Sequence, residues 1–295
     1  MKTLAAVLLL AVIQGRTLYE DPTRSIRIHG YTQAEGGTLE NGDFEFSMRG
    51  NPAVVESRVE GMVVTAPTLS GTVSPASSSA RAFIRVLNVE GGSVVTLDSA
   101  IAHQAQVDLA KRAGAAAPAE PDTREASTIR SASFGYLGTG GEGTLAIPQA
   151  FTIESHSDGR VGDTSFNQTL TAEGTQATIK LDPATSAEIP VKSGTISGPV
   201  KLKISRSETK TGAPQPTLSE LEGFADNVEI DLQTARTITL RGNVKVSGFS
   251  GLYQGTSEGD VVVVTLDQAM KPIRIRITGD PTKSTLRERK QGGVR

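Results

Sequence analysis

The most constraining feature of this chain is a period of two that persists through residues 224–280. Val228, Ile230 and Leu232 alternate with Glu229 and Asp231, and Ile238 and Leu240 alternate with Thr239 and Arg241. After Gly242 and Asn243 the phase resumes with Val244 and Val246 around Lys245. Residues 261–266 are apolar on both phases, and Ile273, Ile275 and Ile277 again alternate with Arg274 and Arg276. Side chains on an extended backbone point to opposite faces in turn, so such a pattern gives each strand one apolar and one wet face. The stretch therefore predicts short strands joined by tight turns, in a sheet whose apolar face must be covered. If the turns preserve register, Val228, Ile230, Leu232, Ile238, Leu240, Val244, Val246, Val262, Val264, Leu266 and Ile275 share that face. What covers it is left open by periodicity: a guest molecule, or the protein's own core.

Earlier segments carry the same pattern. Ile26 and Ile28 alternate with polar neighbours, as do Phe44, Phe46 and Met48, and residues 59–66, 82–89 and 94–97 also read as strands. Residues 68–80, rich in Ser, Gly and Pro, read as a loop. Residues 102–113 read as a short helix leading into an Ala- and Pro-rich link. From 128 to 204 strand-like segments return, and 205–216 reads as a polar connection. The expected organisation is a leader over 1–20, a first β module over 25–108, a link or helix over 109–124, a divergent middle β module over 125–204, a linker over 205–217, a C-terminal β module over 218–281, and a basic disordered tail over 282–295.

Short echoes point to internal duplication or triplication. Leu97-Asp98-Ser99-Ala100 recurs as Leu266-Asp267-Gln268-Ala269, with a weaker copy at Leu181-Asp182-Pro183-Ala184, and Met48-Arg49-Gly50-Asn51 is echoed by Leu240-Arg241-Gly242-Asn243. In each Leu-Asp echo the Leu is expected to close a strand facing inward, and the Asp to start a turn by accepting from nearby backbone N–H groups. Gly242 falls on the inward phase, where a missing side chain permits a bulge or sharp bend.

Composition narrows the function classes. A net charge of −2 over 295 residues gives no basic footprint for nucleic acid. The absence of Cys removes thiolate and disulfide chemistry, and aromatic content of 4% without Trp leaves Val, Ile, Leu and Ala to build the core. Lys2 followed by ten apolar residues, 4–13, is too short to span a bilayer, which takes roughly 20, and suits a secretory leader. Gly138-Thr139-Gly140-Gly141-Glu142-Gly143 matches a dinucleotide-binding pattern in form, but no helix start follows it, so it reads as a loop. Gly255-Thr256-Ser257-Glu258-Gly259 matches a nucleophile elbow in form, but a Val-rich strand follows, so it reads as a hairpin turn. His29, His103 and His156 stand apart, without metal-ligand spacing. No catalytic residue, metal site or cofactor is expected.

The opening Phe224-Ala225-Asp226-Asn227-Val228, the Ile238-Thr239-Leu240-Arg241-Gly242-Asn243-Val244 turn and the strands over 261–266 and 273–279 resemble the OstA-like repeat of periplasmic lipopolysaccharide-transport proteins of the LptA and LptC type. The match covers about 55 residues, with a fainter one over 26–100. The resemblance implies an all-β, open, folded-over β-jellyroll of stacked strands in the periplasm. It implies that the eleven apolar residues named above shelter acyl chains of lipopolysaccharide or another acylated lipid on the way to the outer membrane, and that edge strands join neighbouring transport-bridge proteins. The chain's length, its middle third and its basic tail depart from a minimal member. Two other readings fit the same strands: a structural or adhesive β-solenoid with a closed core, and a carbohydrate-active β-helix, which would need acids clustered in a groove.

Overall fold

The computed structural model describes residues 17–21, 25–58, 60–75, 82–139, 142–181, 191–250, 253–268, 271–279 and 282–288. Apart from one helix the described chain is all-β, a jellyroll-like fold of stacked antiparallel strands. It forms two compact units: Met1–Glu120 with Thr128–Gln149 and Lys180–Pro190, and Pro121–Ser127 with Ala150–Ile179 and Val191–Arg295.

In the first unit β1 (Thr17–Glu20), β2 (Ile26–Thr38), β3 (Phe44–Ser57), β4 (Met62–Ser74) and β5 (Phe83–Asp98) follow one another as an antiparallel meander. The helix α1 (Ser99–Arg112) comes next, then most of β6 (Thr123–Gly138), paired with β7 (Gly143–Ile147). Asp98 caps α1 by accepting from the Ala100 N–H at 2.8 Å, and Lys111 and Arg112 sit at its negative C-terminal end. The second unit holds β8 (Phe151–Val161), β9 (Thr164–Gly174) and most of β10 (Gln176–Leu181). It continues with β11 (Val191–Lys210), β12 (Thr217–Asp231), β13 (Thr237–Ser250), β14 (Tyr253–Leu266), β15 (Pro272–Thr278) and β16 (Lys283–Glu288). The order β11–β12–β13–β14 is an antiparallel meander. β14 then carries β15 against Val261–Leu266 and β16 against Tyr253–Glu258 on the same side.

Most of the long strands are bent at one point by a register shift, and within each unit the shifts line up. In the second unit they fall between Ser197 and Val200, Phe224 and Asn227, and Arg241 and Val244. Ser197 pairs with Asn227 and Asn227 with Arg241, so the three shifts form one transverse crease. In the first unit the crease passes His29–Gln33, Arg49–Ala53 and Thr65–Thr68. An extra residue on one strand bends it and sharpens its twist. The slip also keeps both halves of a strand facing inward: on β4 the buried phase moves from Met62, Val64 and Ala66 to Leu69 and Val73. At the crease Gly242 has φ +73° and Asn243 φ +48°. A Cβ on Gly242 would lie 2.5 Å from the Asp226 carboxylate, which itself accepts from the Asn243 side chain at 2.8 Å. The bend expected at Gly242 is this bulge, and its echo at Arg49 and Gly50 is the corresponding bulge of the first unit.

Of the Leu-Asp echoes, two lie in described residues, and in both the Asp follows a strand and accepts from a backbone N–H. Asp98 opens α1, and Asp267 accepts from the Lys271 N–H at 2.9 Å in the turn before β15. Asp182 lies outside the described residues.

Several sequence expectations are corrected. Residues 17–20, assigned to the leader, form β1, where Tyr19 stacks on Phe44 at 4.7 Å; residues 1–16 lie outside the described part. The loop expected over 68–80 is strand as far as Ser74, because Leu69, Gly71 and Val73 hold the inward phase. The helix begins at Ser99 rather than 102, where its cap places it. The linker over 205–217 is strand to Lys210: Ser205, Arg206, Ser207 and Glu208 pair with β9 and β12, so a polar sequence is held by neighbours on both sides. The tail over 282–295 contributes β16, in which Ser284 and Thr285 bond Ser257 and Thr256 at 2.7 Å. Residues 255–259 run inside β14 rather than turning a hairpin, and the Gly138 loop leads into β7.

Candidate functional site

The register brings the predicted apolar residues of the second unit into two rows. Ile230, Ile238, Val264 and Ile275 lie side by side across β12, β13, β14 and β15, and Val228, Leu240, Val262 and Ile277 form the next row. Val244 and Val246 continue the same face of β13 beyond the crease. Val228, Ile238, Leu240, Val244, Val246, Val262, Val264 and Leu266 are buried, Ile230 and Leu232 half-buried, and Ile275 is 44% exposed.

The face has two regimes. Where Leu202, Ile238, Leu240 and Val264 meet, the remaining void is about 10 Å³, at most the ~10–15 Å³ that one water requires. There the apolar residues are the protein's own core. Beyond Ile204, Leu221 and Val246 the space opens into a groove of about 510 Å³, within the ~300–1,000 Å³ of small-molecule sites.

The groove exists because small residues take over the inward phase. Its floor is made by β11, β12, β13, β14 and β16, with Ser219, Gly248, Ser250, Gly255, Ser257 and Ser284 where the packed half has Leu, Ile and Val. Its opposite wall is Lys271 with β15: Pro272, Ile273, Arg274, Ile275 and Ile277. Ile273 is 61% exposed, although a row of isoleucines on one phase of a strand has the composition of a core. The sequence reading missed this Gly/Ser floor and Phe249. The available signal was the switch from branched aliphatics to Gly and Ser at the inward positions after Val246.

One end of the groove is charged. Arg206 is 5% exposed; it donates to Glu208 at 2.8 Å and Gln168 at 3.0 Å, and its guanidinium lies 4.1 Å from the Phe166 ring centroid. Lys271 Nζ donates to the other Glu208 oxygen at 2.7 Å. β11 and the β14–β15 turn are not neighbours in the sheet, so Glu208 ties the groove's wall across to β11. Burial works to raise the Glu208 pKa, but the hydrogen bonds and charges of Lys271 and Arg206 outweigh it and hold it below the ordinary value.

A second polar cluster lies apart from the groove. Glu125 on β6 accepts from Ser155 on β8 at 2.9 Å and from Ser127 at 3.2 Å. Burial pushes its pKa up, against those two hydrogen bonds. His29 is half-buried and pairs with Glu56 at 2.9 Å. Among the described residues no group of three or more His, Asp or Glu is placed to hold a metal ion.

No family model, curated protein or solved structure matches this chain.

Proposed function

We propose that this chain is a non-catalytic, exported lipid-binding protein that shelters acyl chains, of lipopolysaccharide or a similarly acylated lipid, in the groove of its C-terminal unit. The observation that carries the reading is the groove itself: an aliphatic cleft of about 510 Å³ whose wall leaves Ile273 and Ile275 exposed beside a packed core. Exposed isoleucines on a concave surface lose contact with water when a hydrocarbon chain enters, at roughly 0.8 kcal/mol per buried CH₂. A few methylenes then suffice for reversible binding.

The periplasmic setting rests on the apolar stretch over 4–13, and the bridging role on β1 and β15, which end the strand order of their units and leave one backbone edge unpaired among the described strands. Among the described residues no helix is long and apolar enough to cross a membrane. The closed-core reading is favoured at one place, the sealed half around Leu240, so the carrier role is assigned to the open half alone.

The test is titration of the full chain with a fluorescent acyl probe. Saturable binding is expected, weakened about tenfold or more in Ile275→Asp, since a buried unpaired carboxylate opposes an apolar guest. The melting temperature of that variant should stay near wild type, because Ile275 is exposed. Absence of saturable binding in the wild-type chain overturns the reading.

A further inference from the structure

We infer that the guest of this groove is an acyl lipid with an uncharged, hydroxyl-bearing head, seated on Ser219 and Ser250 with its hydrocarbon running over Gly248 and Gly255 toward Val246. This rests on the acyl-chain reading above and adds the chemistry of the head group.

The register sorts the inward residues of the floor into rows. Arg206, Ser219 and Ser250 lie side by side across β11, β12 and β13. Two residues along each strand, Ile204, Leu221 and Gly248 form the next row, which continues to Gly255 on β14. Leu202, Gly223, Val246 and Ser257 follow, and Ser257 bonds Ser284 at 2.7 Å. Successive rows stand about 6.6 Å apart along a strand. A guest with one hydrogen-bonding end and one hydrocarbon end matches that order.

The charges beside the first row are matched within the protein. Arg206 is buried and held by Glu208 and Gln168, with its guanidinium over the Phe166 ring. Lys271 donates through Nζ to Glu208 and through its backbone N–H to Asp267. Two cations thus meet two carboxylates. Arg274 pairs in register with Thr265, on the phase opposite Val264 and Ile275, and Glu220 is held by Lys203. An anionic head seated on this row would have to draw Arg206 or Lys271 away from its carboxylate, and a charge taken into an apolar cleft without a partner costs far more than a hydrogen-bonded neutral group.

The hydroxyls are not matched in the same way. Ser219 and Ser250 line the groove, and among the described residues their hydroxyls make no hydrogen bond. Residues directly opposite on neighbouring antiparallel strands have Cβ atoms about 4.5–5.5 Å apart, so the two hydroxyls can reach adjacent hydroxyls of one polyol head. A serine hydroxyl both donates and accepts, as an alcohol does, so each contact is satisfied without any charge.

The experiment compares monododecanoylglycerol, its dimethyl ether and dodecanoate as competitors of the fluorescent acyl probe on the full chain. The three share one hydrocarbon chain; the ether lacks only the two O–H donors. The glycerol ester is expected to bind about fivefold or more tighter than the ether, the lower end of what two hydrogen bonds give, and tighter than dodecanoate. In the double variant Ser219→Ala with Ser250→Ala, the ratio of glycerol ester to ether affinity should fall toward one while the ether keeps its own affinity. Ser247→Ala, on the opposite phase of β13, should keep the full ratio. Equal affinity for glycerol ester and ether in the wild-type chain, an unchanged ratio in the double variant, or tightest binding by dodecanoate overturns the inference while leaving acyl binding standing. If none of the three competes because the acyl probe itself does not bind, the acyl-chain reading fails first and takes this one with it.

Discussion

Leu240 and Ile275 are both aliphatic and both on the inward phase of strands that flank β14, yet they do opposite work. Leu240 is 2% exposed and its methyl fills the space where a Cβ on Gly223 would stand, 2.8 Å away. Leu240→Ala is therefore expected to destabilise the second unit by about 2–5 kcal/mol, and Gly223→Ala by about 1–3 kcal/mol through overpacking, both read by denaturant unfolding. Two carboxylates give opposite pH slopes. Glu208, held below its ordinary value of 4.5, contributes stability that is full above that value and lost as the pH falls through the lowered one. Glu208→Gln should cost about 1–3 kcal/mol at neutral pH, the worth of hydrogen bonds to a charged group, and should remove that acid-side loss. Glu125, raised from 4.5, favours folding fully below its ordinary value and loses that contribution as the pH rises through the raised one. Glu125→Gln stays neutral and should flatten this alkaline-side decline, measured by thermal melts across pH. A loss on the same side for both variants would contradict the two environments described.

At the scale of elements, the crease and the Gly/Ser floor decide where the chain is solid and where it is open. β16 completes the floor, bonding Ser257 and Thr256 of β14 through Ser284 and Thr285. A chain shortened to end at Thr282 should lose affinity for the acyl probe several-fold and show faster amide exchange over 253–258. Unchanged exchange there would place β16 elsewhere. This element was invisible in the sequence for a physical reason: Lys283, Ser284, Thr285 and Arg287 carry no apolar alternation, and a strand held at the sheet edge by its pairing with β14 needs none. Ser205, Ser207 and Glu208 on β11 were illegible for another reason: their polar segment is held by pairing with β9 on one side and β12 on the other. Conversely, β12, β13 and β14 were legible because one face is buried and a one-residue slip would expose Val228, Leu240 and Val262 together. The bulge at Gly242 was legible because glycine on an inward phase marks a bend.

At the scale of the whole molecule, periodicity identified the all-β class and gathered the apolar face, but could not divide it. Whether a face is core or groove depends on what lies opposite, and that is set by long-range pairing: β15 beside one half of β14, β16 beside the other. Val228 and Ile275 look alike in sequence, and only that pairing separates a sealed position from an exposed one. The central claim is that an acyl chain occupies the cleft between β15 and the Gly/Ser floor. Its most direct measurement is photo-crosslinking of the full chain with a diazirine-bearing fatty acid, with the labelled residues mapped by mass spectrometry. Adducts are predicted on Phe249, Ile273, Ile275 and their groove neighbours, competed by unlabelled fatty acid. Adducts scattered over both units without competition, or none in the segments 246–257 and 271–277, would contradict it.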